Sequence, residues 1–171
     1  MCIRDSVSAI PNAQVFRNVP IETRANVACF GTFGYELDVN KLSEEDKKII
    51  VEQIKFMKEN RELLQFGTFY RLKSPFEGNE TAWMVVSEDK NKAIVGYYKK
   101  LQKVNHPYNR VKLQGLDPNK RYSVSINEYE AYGDELMNIG MITTDRSSGE
   151  QKDISKAEGD YSSRLYILTA K

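Results

Sequence analysis

Residues 66–87 read FGTFYRLKSPFEGNETAWMVVS, and within them the hydrophobic pattern changes from the period of a helix to that of strands. On the upstream side, Ser43 is placed to start a long helix, with Glu44, Glu45 and Asp46 in a first turn where acidic groups meet the positive end of the helix dipole. Ile50, Ile54, Met57 and Leu64 then fall on one face, with Arg61 in the turn between them. Lys47, Lys48, Glu52 and Lys55 mark the solvated side, and Gly67 is the stop. Burying those apolar side chains contributes about 1.5–3 kcal/mol each, so this helix requires a partner surface.

On the downstream side the period is two. TFYRL (68–72), TAWMVVS (81–87), KAIVGYYKK (92–100), RVKLQGL (110–116), RYSVSIN (121–127) and SRLYILTA (163–170) read as strands. Glu88–Asn91 is a polar hairpin connection, and Leu116-Asp117-Pro118-Asn119 is a turn between two further strands. In TAWMVVS, Trp83, Val85 and Ser87 share one face and Ala82, Met84 and Val86 the other, so both faces are expected to be buried. Asp134-Glu135, after Gly133, reads as a loop before an apolar strand, and residues 145–160 as an exposed polar loop. Short antiparallel strands at this spacing predict a β-sandwich.

Residues 7–20, VSAIPNAQVFRNVP, read as the end of a strand running into a loop. Pro20 and Glu22 suit the first turn of a helix, and Val27, Phe30 and Gly34 recur at helical spacing, which predicts a helix from Ile21 to Gly34. Gly31 and Gly34 each weaken such a helix by about 1 kcal/mol relative to Ala.

Composition excludes several classes. The chain has 171 residues, enough for one good core or for a small domain and part of another, and its 25 Lys and Arg against 24 Asp and Glu are interleaved without a basic stripe. Nucleic acid is not an expected partner. No apolar run approaches a membrane span, so no membrane partner is expected either. Cys2 and Cys29 lack metal-ligand spacing and His106 is the sole histidine, which supports neither a disulfide framework nor a metal site and fits a cytoplasmic, reducing location.

Paired carboxylates would be the candidates for glycosidic bond cleavage, since retention of configuration takes two of them about 5 Å apart. Glu44, Glu45, Asp46, Glu22 and Asp38 are each better explained by local helix chemistry. Trp83, Tyr97, Tyr98, Tyr122, Tyr129 and Tyr132 are aromatic enough to stack on sugar rings, but the alternation around Trp83 favours core packing. No phosphate-binding loop, nucleophile elbow, dinucleotide fingerprint or zinc-binding helix motif occurs.

A set of ordered words carries further information: VSAIPNAQ (7–14), PIETRANVACFGTFGYELD (20–38), KLSEEDKKIIVEQIKF (41–56), residues 66–98, LQGLDPNKRY (113–122), YGDELMNIGM (132–141) and GDYSSRLYILTAK (159–171). Together they resemble the C-terminal part of glycoside hydrolase family 36, the microbial α-galactosidases, over about residues 7–171. The resemblance implies an α+β fragment: the last strand and helices of a (β/α)8 barrel over residues 7–66, then a C-terminal antiparallel β-sandwich domain over residues 67–171. Residues 1–6, MCIRDS, do not match the family and are expected to mark a truncated or misjoined frame.

The resemblance also implies hydrolysis of terminal α-D-galactosides in oligosaccharides by two Asp residues on barrel strands that precede the VSAIPNAQ segment. Neither Asp motif is in this sequence, so the chain carries no catalytic residue, calls for no cofactor or metal, and is expected to be inactive by itself. Ser8 and Asn12 match the segment near the pocket mouth and are the substrate-binding candidates, with Pro11 between them. Ala13 departs from a family pattern that commonly has His there. Homo-oligomer formation is a further implied partnership. The alternative reading is a non-catalytic β-sandwich that binds carbohydrate or forms an oligomer interface.

Overall fold

The computed structural model describes residues 6–13, 16–103, 109–126, 129–143 and 160–171. Cys2, His106 and nearly all of the polar 145–160 stretch lie outside them. The chain divides between Gly67 and Thr68 into two compact units.

The first unit is a β-α-β-α arrangement: β1 (Ser6–Ser8), α1 (Ile21–Ala28), β2 (Gly34–Glu36) and α2 (Glu44–Phe66). β1 and β2 run parallel, with Ser6 opposite Gly34, Val7 opposite Tyr35 and Ser8 opposite Glu36. Val7 is fully buried in a cluster with Ile21, Ala25, Ala28 and Ile50, against which Tyr35 and Leu37 pack. Strand alternation therefore turns Ser6, Ser8, Gly34 and Glu36 to the face away from the helices.

Two expectations are corrected here. Where one strand was expected there are two, and the helix that begins at Ile21 ends at Ala28 rather than Gly34. Cys29 caps the helix, Gly31 N–H closes a turn on Ala28 O at 2.9 Å, and Phe33 at φ 47° redirects the chain into β2. Pairing with β1 and burial of Tyr35 and Leu37 outweigh the local helical spacing; the two-residue alternation of Tyr35-Glu36-Leu37-Asp38 was the sequence signal for it.

α2 starts as expected, the Ser43 hydroxyl accepting from Asp46 N at 3.0 Å. Its buried residues are Ile50, Met57, Asn60 and Leu63, whereas Ile54 is exposed and Leu64 half-buried. Asn60 is tolerated on that stripe because its amide donates back to Phe56 O at 2.8 Å.

The second unit is a six-stranded antiparallel sheet in the order β3-β4-β5-β10-β7-β8. The strands are β3 (Thr68–Lys73), β4 (Glu80–Val86), β5 (Lys92–Lys99), β7 (Arg121–Val124), β8 (Tyr129–Tyr132) and β10 (Ser162–Ala170). One face carries Ala82, Met84, Val86, Val95, Tyr122, Val124, Tyr166 and Leu168. Covering it are the short ribbon β6 (Arg110–Val111) with β9 (Met141–Ile142), the segment bearing Leu113 and Leu116, and α3 (Gly133–Asn138) through Leu136. The second layer is thus partly sheet and partly helix. RVKLQGL contributes only Arg110–Val111 to a strand, because Leu113 N–H donates to Leu136 O and not to a neighbouring strand.

The Asp134-Glu135 loop expectation is also corrected: these residues form the first turn of α3. Gly133 makes this entry feasible, since a Cβ there would lie 2.0 Å from Asp117 O. The hairpin between β4 and β5 forms as expected, and Asp89 organises it. The Ser87 hydroxyl, then the Asn91 backbone and side-chain N–H groups, hold the Asp89 carboxyl below its ordinary range. Tyr122, fully buried, ties this hairpin to the Asp117 turn by donating to Lys90 O at 2.8 Å and accepting from Asp117 N at 3.0 Å.

Two stability outcomes follow from these contacts. Tyr122→Phe leaves Lys90 O and Asp117 N without their partner and should cost about 1–3 kcal/mol. Gly133→Ala should cost about 1–3 kcal/mol or more by overpacking against backbone, whereas Gly78→Ala, with open space around it, should be near neutral. Urea unfolding followed by fluorescence of the single tryptophan, Trp83, measures all three.

Candidate functional site

At the C-terminal ends of β1 and β2 the loops that follow each strand and the first turn of α1 enclose a cleft of about 510 Å³. Its walls are Ala9, Ile10, Val19, Pro20, Ile21 and Leu37 on the apolar side and Glu22, Arg24, Asp38, Lys41 and Asp46 on the charged side. Ligand sites of parallel α/β units form at this end of the strands, where the following loops converge.

Arg24 organises the cleft. Its Nε donates to Val19 O at 3.0 Å and its NH1 to Ser8 O, so one guanidinium fixes both ends of the loop between β1 and α1. Partial burial lowers the Arg24 pKa, opposed by the carboxylates of Asp46 and Glu22, and the group remains a cation. Asp38 accepts from Asn40 N at 3.0 Å as the cap of a short 3-10 turn and sits 3.8 Å from Lys41 Nζ. Asp38 thus serves as a cap, while Asp46 and Glu22, each in the first turn of a helix, favour the charged form of Arg24.

Ser8 and Asn12 are brought to this end of the unit, though neither is among the lining residues of the cleft. Ser8 is half-buried at the last position of β1. Asn12 is half-buried in a tight loop, its N–H donating to Arg17 O at 2.9 Å and its carbonyl accepting from Phe16 N at 2.8 Å. Glu36 is the residue that sequence reasoning passed over. The parallel register sets it beside Ser8, on the face away from the helices, at the last position of β2. The strand Gly34–Glu36 was not among the expected elements, so no register with β1 was available to place it.

The second unit offers polar and aromatic clusters of a different kind. Glu80 accepts from Lys73 Nζ at 2.5 Å and from the Asn109 amide, and its carboxylate, after burial, helps raise the Tyr97 pKa. On the outer sheet face Trp83 lies 4.6 Å from Tyr98 and 6.4 Å from Phe69, ring centre to ring centre. Trp83 is thus half-buried among aromatics and does not join the core cluster that the alternation predicted for it. Among the described residues no group of three or more His, Cys, Asp or Glu side chains is arranged for a metal ion, and no helix is long and apolar enough to cross a membrane.

Comparison with known sequences separates the two units in the same order. Residues 80–168 match the glycosyl hydrolase family 36 C-terminal domain, and residues 1–67 match the melibiase family. The chain belongs to glycoside hydrolase family 36. Within this family, α-galactosidase AgaA of Geobacillus stearothermophilus is 50% identical over 143 residues, which are 83% of this chain and 19% of that enzyme. α-Galactosidase Mel36A of Lactobacillus acidophilus is 42% identical over 134 residues, 78% of this chain and 18% of that enzyme. The chain therefore spans about a fifth of the length of the curated relatives it matches. Among solved structures, a variant of the Geobacillus AgaA in complex with raffinose matches 97% of this chain and 21% of that one, with a TM-score of 0.86 and 44% identity. The galactosidase domain of the α-galactosidase-sucrose kinase AgaSK matches 97% of this chain and 22% of that one, with a TM-score of 0.87 and 33% identity.

The first unit of this family 36 chain also contains Cys29, a buried thiol that donates to Asn26 O at 3.2 Å. Burial pushes its pKa up to about 12, and burial likewise pushes the Tyr35 phenol up to about 12. The folded state holds these protons where the unfolded chain, with a thiol near its ordinary 9.0, releases them. Their contribution is intact below that value and is lost as pH rises toward about 12. The urea midpoint should fall across this window, and Cys29→Ala should flatten the fall; an unchanged slope would contradict the assignment.

Proposed function

We propose that this chain is the C-terminal part of a retaining α-galactosidase that acts on terminal α-D-galactosides of oligosaccharides such as raffinose. The observation that carries the reading is the 97% match to the AgaA structure with raffinose, at a TM-score of 0.86. In this reading residues 7–66 are the closing β-α-β-α part of the catalytic (β/α)8 barrel, and residues 67–171 are the C-terminal sandwich domain. The parallel pair, the cleft at its C-terminal ends and the apolar Val7–Ile50 cluster support it.

Chemistry then divides between this chain and the rest of the barrel. One Asp from elsewhere forms a galactosyl ester while another protonates the leaving oxygen and later activates water; the pair supplies both functions, so the reaction calls for no cofactor. The part played here is to shape the pocket. Ser8, Asn12 and Glu36 meet sugar hydroxyls, the first two through short neutral groups and Glu36 as an acceptor for two donors at once. Arg24 keeps the loop between β1 and α1 in place by its bonds to Ser8 O and Val19 O. The buried neutral thiol of Cys29 suits a cytoplasmic enzyme, and assembly into homo-oligomers belongs to the whole protein.

The test has two arms. The isolated chain should show no turnover of a chromogenic α-galactoside above a heat-treated control. A chimera in which it replaces the matched part of AgaA should be active, and in that chimera Ser8→Ala, Asn12→Ala and Glu36→Gln should each lower kcat/KM by about tenfold or more, the size of one hydrogen bond to substrate. An inactive chimera would refute the reading.

A further inference from the structure

The loop that follows β1 leaves the sheet at Ala9, whose N–H still donates to Glu36 O at 3.2 Å, and Arg24 holds the two feet of the loop through Ser8 O and Val19 O. Between those feet the loop closes on itself. Asn12 N–H donates to Arg17 O at 2.9 Å and Phe16 N–H to Asn12 O at 2.8 Å. The position of Phe16 is therefore tied to the backbone of Asn12, which the proposed function brings against sugar hydroxyls.

Phe16 combines two unfavourable features. Its φ of 53° is left-handed, a conformation in which a side chain crowds the backbone and which glycine adopts freely. Its ring is 78% exposed, so little packing offsets that strain. Phe33, at φ 47°, differs: its ring meets Tyr35 edge to face at 5.4 Å and packs against the apolar cluster of the first unit. An exposed apolar side chain by itself needs no explanation. One that hydrogen bonds hold in a strained backbone, with its ring turned to the outside, is a pre-organised contact surface.

The place of the loop indicates what that surface meets. It stands at the C-terminal end of β1, the end at which the loops of a barrel build the substrate site. Raffinose has a terminal galactose and, beyond the bond that is cleaved, further sugar rings. Each sugar ring has a face of C–H groups that packs against an aromatic ring while its hydroxyls remain in water. The galactose is the part that must be enclosed with the two acids, so an aromatic ring exposed on a loop at the rim fits the leaving sugar instead. We infer that Phe16 is a specificity-determining residue, whose ring stacks on the first sugar of the leaving group and favours oligosaccharides over simple galactosides. The inference rests on the α-galactosidase reading.

The test uses the chimera in which this chain replaces the matched part of AgaA. It compares kcat/KM for raffinose with kcat/KM for methyl α-galactoside, which has the same terminal sugar and no leaving ring. Phe16→Ala should lower the ratio of the two about fivefold or more, and Phe16→Trp should hold it at or above its original value. Phe16→Gly should lower the ratio to the same extent while Tm stays level or rises, because glycine relieves the left-handed φ. Loss of both activities by one common factor marks a loop with a structural role only and overturns the inference, as does a ratio that neither Phe16→Ala nor Phe16→Gly moves. In both cases the α-galactosidase reading stands. An inactive chimera refutes that reading and takes the inference with it.

Discussion

A parallel strand cannot satisfy its backbone within a two-stranded ribbon, because each strand offers hydrogen-bonding groups on two edges and the ribbon joins only one of them. That constraint governs the first unit. Val7 and Tyr35 are secured by the Ile21, Ala25, Ala28 and Ile50 cluster on the helix side. The opposite face bears Ser6, Ser8, Gly34 and Glu36, which are too small or too polar to form a core with anything but a solvated or ligand-bearing interior. The helices therefore fix the position of the two strands without completing the sheet they belong to.

The second unit obeys the opposite logic. Its strands β4 and β5 are paired on both sides and bury most of both faces, and the polar groups at its hairpins are joined into a network. Tyr122 connects the Lys90 turn to the Asp117 turn, while Lys120 Nζ donates to Asp89 O and Asn91 Oδ1 at 2.8 and 2.9 Å. One face closes with β6, β9 and α3 in place of a second full sheet. This unit is next in sequence to one whose two parallel strands end at a cleft.

Retaining glycoside hydrolysis requires two carboxyls at a set separation; of the carboxylates around the cleft, Asp38 caps a 3-10 turn and Asp46 and Glu22 favour the charged form of Arg24. What β1 and β2 contribute is a register: it sets Ser8 beside Glu36 at the end of the sheet where loops converge.

Alternation and turn chemistry were legible in the residues themselves. TAWMVVS declared its two faces, Ser43 and Gly67 marked the ends of α2, and Glu88–Asn91 announced a hairpin, because each depends on neighbours within a few positions. Residues 29–34 and 133–138 were misread for the converse reason. Gly34 joins a strand only because Ser6 lies beside it, and Gly133 opens a helix only because Asp117 O leaves no room for a side chain. The rotation of α2 that buries Asn60 and exposes Ile54 likewise has no local cause. Sequence alone determined the family and the change of period at Gly67, since these are properties of residue order. Only tertiary structure decided that the first unit holds two parallel strands and that Glu36 stands beside Ser8, since register is set by which distant backbone groups meet.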